Sequence, residues 1–493
     1  MSINNKSLSF NRKNTAISRY TFSKSIKLAL ELDLINKGKT VFDYGCGRGD
    51  DIRSLTNLGI KCSGWDPEHK KAAELKSADV VNLGYVINVI ENPQERIVTL
   101  KKSWNLTKEV LIISARLDFE LKQENNFKPY ADGFITQKGT FQKFFTQQGL
   151  KHLINQTLNI HSIAMAPGVF LAFKNEYQRE EFESSIYHRR IEYISARVDS
   201  EEIFKKNEIF LKPLIEFYHL RGREPIHTEV GNYKELMDKF GSIKKAFSII
   251  RRAYKTEFWS ELRKSRTEEL ILYLALSKFS DRPKFSHLPN NIQLDVKSFF
   301  GTYNKACSAA DDMLYKTADL NIIREASKSL TFGKVTHDAV YIHASEIDKL
   351  PLILRLHEGC ARSYIGAVEQ ANIIKLNMLK PKISYLIYPQ FDKDPHPALL
   401  GSMVVSLSEL DVKFYDYSRS NNPPILHRKE MFVPPEYPNR RKFEKLTKLE
   451  EKFDLFNKSN KIGFKKDWED LLKSKGLSIK GHTIKKSHMH DIN

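Results

Sequence analysis

VFDYGCGRGDD, residues 41–51, reads as a strand that ends in a tight glycine turn. Val41 and Phe42 supply the apolar strand, Asp43 closes it, and Gly45, Gly47 and Gly49 follow at alternate positions. Glycine suits such a turn because the chain takes positive φ without steric cost and a ligand can lie directly against the backbone. A second apolar stretch, GIKCSGWDP at 59–67, ends near Asp66, where a parallel neighbour would present a carboxylate to ribose hydroxyls. Strand, turn and acid together predict a ligand with a ribose at the carboxyl edge of a parallel sheet.

The spacing narrows the ligand. A dinucleotide fold favours G-x-G-x-x-G, whereas this loop is D-x-G-x-G-x-G, with the acid two residues before the first glycine. The pattern looks like the cofactor loop of class I S-adenosylmethionine-dependent methyltransferases; a dinucleotide loop and a chance glycine turn are the alternatives. In that likeness Asp43, Gly45, Gly47, Gly49 and Asp66 are the cofactor residues. DDIRSLTNLGI follows with helical apolar spacing at Ile52, Leu55 and Leu58, and Gly59 as its stop. Too few residues separate Asp66 from the apolar run at Ala78 for a full strand and helix, which predicts a shortened sheet edge. Asp79 is left as the candidate for the adenine side.

Val80 and Val81 make the next strand, and the segment after it lies where open α/β sheets bind ligands. Two patterns compete there. Methyltransferases acting on the amines of DNA bases carry Asp/Asn/Ser-Pro-Pro-Tyr/Phe, whose polar side chain accepts from the target amine and whose aromatic stacks on a flipped base. Asn82 and Tyr85 match the first and fourth positions without the prolines. The other pattern, V-x-x-V-x-x-x-P as in small-molecule and RNA methyltransferases, fits Val86, Val89 and Pro93. A third reading makes Asn82 the cap of a helix beginning near Val86. Before the first strand, NRKNTAISRY at 11–20 reads as a basic arm in which Arg19 and Tyr20 are candidate contacts. After strand five (KEVLIISARL), YADGFITQKGTFQKFF is either a substrate-facing insert or a helix packing Phe141, Phe144 and Phe145 on the sheet, and PGVFLAFKN closes the sheet.

At 493 residues the chain predicts more than one domain. The expectation is a Rossmann-like α/β domain over 1–175, a helical region over 176–330, and an α+β domain over 331–493 with a basic tail. Lys+Arg outnumber Asp+Glu by 79 to 60, a net charge of +19 that favours a polyanionic partner. No leader and no long apolar run is visible, so a cytoplasmic protein with no membrane partner is expected. The four cysteines are isolated, which argues against a disulfide framework or cysteine zinc site, and no metal is assigned. In the helical region Gly241-Ser242 separates two helical runs, and Lys244, Lys245, Arg251 and Arg252 fall on the exposed side of the second. That is the shape of a helix-turn-helix docking on nucleic-acid phosphates, and equally of a solvated helical hairpin. Two C-terminal clusters, Asp392/Asp394/His396 and His427/Arg428/Lys429/Glu430, are left open as a second site.

Over nearly its full length the chain resembles the bacterial family of DNA phosphorothioation-associated methyltransferases. The resemblance rests on TAISRY, VFDYGCGRGDD, GWDP, VVNLGYVINVIENPQER and DGFITQKGTFQKFF, and on EGCARSYIGAVE, YPQFDKDPHPAL and NPPILHRKEMFVPP. It implies a methyltransferase domain in a DNA-modification or anti-phage setting, alongside other defence-system proteins, and leaves the methyl acceptor open. The reading is an S-adenosylmethionine-dependent methyltransferase acting on nucleic acid, DNA rather than RNA, in which Asn82 and Tyr85 orient a base amine. The alternatives are a non-catalytic cofactor- or DNA-sensing subunit of a defence complex, and an RNA or small-molecule methyltransferase.

Overall fold

A computed structural model describes residues 10, 12–16, 19, 21–121, 127–187, 202–254, 256–457 and 461–486; Tyr20 and the tail 487–493 lie outside them. The chain divides into two compact units, Met1–Asn175 together with Ala318–Asn493, and Glu176–Thr317.

The first unit starts with helix α1 (Lys24–Glu31), strand β1 (Thr40–Tyr44), α2 (Asp50–Asn57), β2 (Lys61–Trp65), β3 (Ala78–Gly84), α3 (Pro93–Leu106) and β4 (Thr107–Ser114). Then come α4 (Asp118–Leu121), three short strands β5 (Lys128–Tyr130), β6 (Gly133–Ile135) and β7 (Phe141–Gln142), α5 (Gln147–Leu158), β8 (Ile163–Ala166) and β9 (Val169–Phe173). The main sheet has the order β2-β1-β3-β4-β9-β8. Strands β1 to β4 are parallel, and β9 runs antiparallel to β4 and β8. This is a Rossmann-like sheet with its edge shortened at β2, as the spacing predicts. The central strands are apolar on both faces, as buried parallel strands must be. Phe42, Val81, Leu83, Leu111, Ile113 and Phe170 pack with Ile87, Leu100, Leu150 and Ile154 into one core.

Strand order reverses between β1 and β3, and the crevice at such a switch point is where this architecture holds ligands. The helix after β3 begins at Pro93, capped by Asn92 whose side chain accepts from the N–H of Gln94 at 2.9 Å. Residues 85–92 are therefore a loop, and the reading of Asn82 as a cap near Val86 gives way to Asn92 with proline in the first turn. The aromatic insert is a three-stranded antiparallel sheet, with Phe141, Phe144 and Phe145 buried. It is not a helix because β5 pairs with β6, and β6 with β7 across the turn at Gly139, whose φ is 69°.

The second unit is helical among its described residues: α6 (Glu176–Ile186), α7 (Glu202–Arg221), α8 (Tyr233–Phe240), α9 (Ile243–Ala253), α10 (Thr256–Leu276), α11 (Asn290–Phe300) and α12 (Tyr303–Lys316). Leu214, Tyr218, Leu236, Phe247 and Ile250 form a core around the α8–α9 hairpin. A buried ion network also ties this unit together. Asp295 takes Arg221 and Arg223, and Arg223 reaches on to Glu229 at 2.7 Å.

The chain then returns to the first unit through α13 (Leu320–Lys328), β10 (Lys334–Val335), β11 (Ala339–His343), α14 (Leu352–Ile365), β12 (Ile373–Asn377), β13 (Lys382–Ile387), β14 (Gly401–Ser406) and β15 (Asp411–Asp416). These six strands form an antiparallel meander in chain order. After it come α15 (Arg440–Lys452), α16 (Lys465–Ser474) and the hairpin β16 (Leu477–Lys480) and β17 (Thr483–Lys486). The α14 C-terminus docks on β8. Gly366 has φ 75°, and a Cβ there would lie 2.4 Å from the nitrogen of Ala166. The next residue donates from its N–H to Met165 O at 3.0 Å, and Glu369 pairs with Lys27 of α1 at 2.5 Å. Strain and overpacking combine at this glycine, so Gly366→Ala is expected to lose roughly 1–3 kcal/mol in denaturant unfolding. Unchanged stability would show that the α14 turn does not seat on β8.

Candidate functional site

Asp43, the last polar residue of β1, lies opposite Asn82 in the β1–β3 register. Both are buried, and Asn82 Nδ2 donates to Asp43 Oδ1 at 2.8 Å. The other end of the amide is also engaged, because Asn82 Oδ1 accepts from Ser25 Oγ of α1 at 3.0 Å. Burial pushes the Asp43 carboxyl up to about 7, with the Asn82 hydrogen bond opposing the rise. Asn82 also lines the cavity, and these bonds give its amide the task of positioning Asp43.

Beyond Asp43 the chain turns through Gly45 and Gly47, with φ of 82° and 50°. A Cβ at Gly45 would lie 2.4 Å from a Val86 methyl carbon, and one at Gly47 would lie 3.2 Å from Ala16. The N–H of Gly47 donates to Asp66 Oδ2 at 3.0 Å, and Asp66 Oδ1 accepts from the N–H groups of Glu68 and His69 at 2.9 and 2.8 Å. The strand-two acid is thus fixed against the glycine turn. A cavity of about 270 Å³ opens here, with Asp43, Gly45, Gly47, Asp66 and Tyr85 in its walls. Gly49 is not among its lining residues; it takes φ 77° and starts α2.

Asp79 lies away from the cavity. It sits at the amino end of β3, accepting from Thr40 N at 2.8 Å and Thr40 Oγ1 at 2.6 Å, bonds that hold its carboxyl below the usual range. The cavity is at the other end of the strand, so Asp79 joins β3 to β1 and cannot reach an adenine.

Tyr85 follows β3 with φ 58°, a strained conformation for a bulky residue and one that the site must stabilise. Its N–H donates to Ser114 O at 2.9 Å, the Arg19 guanidinium carbon lies 5.9 Å from its ring, and burial pushes its hydroxyl up to about 12. Tyr85 is also among the residues that line the cavity.

The N-terminal arm closes the site through Arg19, a candidate contact in the sequence, and through residues that sequence reading passed over. Arg12 binds two carboxylates at once, Glu91 at 2.9 Å and Glu95 at 2.5 Å. Asp50 accepts from the N–H of Arg19 and Asp51 from that of Ser23, both at 2.8 Å. The signals were present as the acid pair after the glycine turn and the acids four apart at 91 and 95, but nothing local linked them to the arm.

Outside this site, Lys244, Lys245, Arg251 and Arg252 are exposed on α9, whose Ala246, Phe247 and Ile250 are buried. Arg251 pairs with Glu224 at 2.5 Å. The two C-terminal clusters mix. Asp392 accepts from Asn439 Nδ2 at 3.0 Å, Asp394 Oδ1 from the N–H of His396 at 3.0 Å, and Glu430 from Thr447 Oγ1 at 3.0 Å. His396 and His427 come together with ring centroids 4.7 Å apart.

No family model matches the chain, and no curated protein matches it. Solved structures do. The Burkholderia thailandensis 1,6-didemethyltoxoflavin-N1-methyltransferase, with bound 1,6-didemethyltoxoflavin and S-adenosylhomocysteine, is 14% identical over 31% of this chain and 79% of its own, with a TM-score of 0.23. The sugar N-methyltransferase KedS8 from Streptoalloteichus is 11% identical over 32% and 96%, with a TM-score of 0.24. A S-adenosylmethionine-dependent methyltransferase from Clostridium acetobutylicum is 12% identical over 30% and 87%, with a TM-score of 0.23. No helix among the described residues is long and apolar enough to cross a membrane.

The buried Asp43 sets a pH dependence. Unfolded, its carboxyl titrates at about 4; folded, it does so at about 7. Between these values the folded chain holds a proton that the unfolded chain has released, so this group's contribution to stability falls as pH rises through the window. Asp43→Asn lacks that slope. Melting curves from about pH 4 to about pH 8, which span the window, are expected to show the variant gaining on the wild type as pH rises. A constant difference would mean that Asp43 is ionised throughout.

Proposed function

We propose that this protein is an S-adenosylmethionine-dependent methyltransferase acting on nucleic acid, DNA rather than RNA, in a bacterial DNA-modification or defence setting. The observation that carries the cofactor reading is the cavity at the β1–β3 switch point, bounded by Asp43, the left-handed Gly45 and Gly47, and Asp66. When bound, the cofactor supplies a methyl carbon on a sulfonium. Asp66, already fixed by three backbone N–H groups, keeps one acceptor site, on Oδ2, for a ribose hydroxyl. Gly45 and Gly47 let the backbone approach, and Asp43 places a carboxyl beside a cationic ligand.

An amine nucleophile attacks such a methyl carbon without a strong base, so the protein's task is alignment. Tyr85, with Arg19 beside it, offers the stacking surface for a base, and the net charge of +19 supports a polyanionic partner. The resemblance to phosphorothioation-associated methyltransferases agrees with this setting. The occupied amide of Asn82 favours a second reading, a subunit that binds cofactor or DNA without turnover.

Purified protein incubated with radiolabelled S-adenosylmethionine is expected to label bacterial DNA more than total RNA, and Asp43→Ala to abolish the label. Cofactor binding with no labelled polymer would favour the sensing subunit. The docking claim has its own test. Replacing Lys244, Lys245 and Arg252 with Ala should weaken DNA binding evenly across sequences and lower the salt slope by about 1 for each lost phosphate contact. An unchanged slope removes α9 from the interface.

A further inference from the structure

The second cluster of ionisable side chains lies in the C-terminal part of the first unit. His396 is in the loop after β13, His427 precedes a short 3-10 turn (Lys429–Phe432), and Glu450 is on the last turn of α15. Three segments far apart in sequence thus deliver two imidazoles and a carboxylate to one point. One ligand atom from each lies within 4.8 Å of the other two. All three side chains are nearly excluded from solvent: His427 is 8% exposed, Glu450 1%, and the His396 side chain 7%.

The hydrogen bonds fix how the groups can act. His427 Nε2 lies 2.6 Å from the carbonyl oxygen of Ile462, which can only accept, so Nε2 carries the proton and Nδ1 keeps a lone pair. That Nδ1 is buried without a hydrogen-bond partner among the described residues. An imidazole oriented by a backbone carbonyl on one nitrogen and open on the other is the usual arrangement of a metal-binding histidine. His396 Nε2 and Glu450 Oε1 lie 2.5 Å apart, sharing a proton where an ion would bridge them. The His396 loop is itself held, since Lys429 Nζ donates to Phe391 O at 2.6 Å and to Asp394 O.

We propose that His396, His427 and Glu450 form a binding site for a divalent transition-metal ion of the zinc class. Two nitrogens and one carboxylate oxygen suit zinc among the common biological cations, whereas calcium and magnesium call for oxygen sets. Three protein ligands leave a coordination position for water or another group. On loading, the proton between His396 and Glu450 passes to solvent and each partner donates a lone pair to the ion, so binding releases one proton. The site is separate from the cavity at β1 and does not depend on the methyl-transfer reading. It ties the 391–397 loop, the segment before the 3-10 turn and α15 together.

The test uses the full chain freed of metal by a chelator and titrated with zinc ions alone against a competing chelator, with cobalt ions as the spectroscopic probe. One equivalent per chain is expected, with the visible bands of a low-coordinate cobalt site. Trp468, whose ring lies 4.9 Å from that of His396 and 4.6 Å from that of His427, should be quenched by cobalt. His396→Ala and His427→Ala should each weaken binding by more than the roughly 10–100-fold that loss of an outer partner costs. Asp43→Ala should bind as the wild type does. Failure of the wild type to take up one equivalent overturns the proposal, as does binding that survives in both histidine variants. If those variants do not fold, the quench decides: one that persists at full amplitude in Trp468→Phe places the ion elsewhere.

Discussion

A carboxyl group placed at the end of a buried parallel strand is costly unless something meets it, and in this protein Asn82 meets Asp43 across the β1–β3 pair. That one hydrogen bond has consequences in every direction. It consumes one end of the Asn82 amide, and the other end then requires a donor, which Ser25 supplies from α1. Seating Ser25 fixes the start of α1, where the N–H of Ser23 is bound by Asp51 from the first turn of α2. A chain of polar contacts therefore runs from β1 through β3 and α1 to α2 and encloses the cavity. The apolar core below sets the sheet, but these contacts set the shape of its edge.

How much of this was legible follows from how local each signal is. The glycine turn, the Asp43 that precedes it and the Asp66 beyond the next strand all lie within 24 residues of one another by the numbering, and backbone sterics alone account for their pattern. The shortened edge was legible for a similar reason, because chain length between Asp66 and β3 leaves no room for another strand and helix. Asn82 and Asp79 were not, for opposite reasons. Asn82 matches a tetrapeptide pattern locally, but its partner Ser25 comes from a different element. Asp79 was displaced by the direction of the strand: an acid at its amino end faces Thr40, a whole strand length from the ligand edge.

The arm shows the limit most clearly. Arg12 reaches Glu91 and Glu95 across about eighty positions, and no periodicity connects them. Its basic composition was visible, and what those cations bind was not. The C-terminal histidines repeat the lesson. Their proline-rich surroundings predicted loops, and the loops are there, but the carboxylate that completes the group is Glu450 on α15, in neither of the two clusters that composition singled out.

The burial that makes Asp43 costly also makes it responsive to what fills the cavity. With the carboxyl titrating at about 7, a small electrostatic change decides its charge at neutral pH. A unit positive charge about 4 Å away, at the effective dielectric of a partly buried site, is worth about 4 kcal/mol. That corresponds to a change of roughly a thousandfold in proton affinity. A cationic occupant would therefore ionise Asp43 and gain an ion pair, whereas a neutral occupant of the same shape would leave the acid protonated and gain only a hydrogen bond. Asn82 suits both states, since its Nδ2 can donate to either form of the carboxyl. A preference for a cationic occupant would thus follow from the fold's own constraint, an acid that β1 and β3 keep out of water.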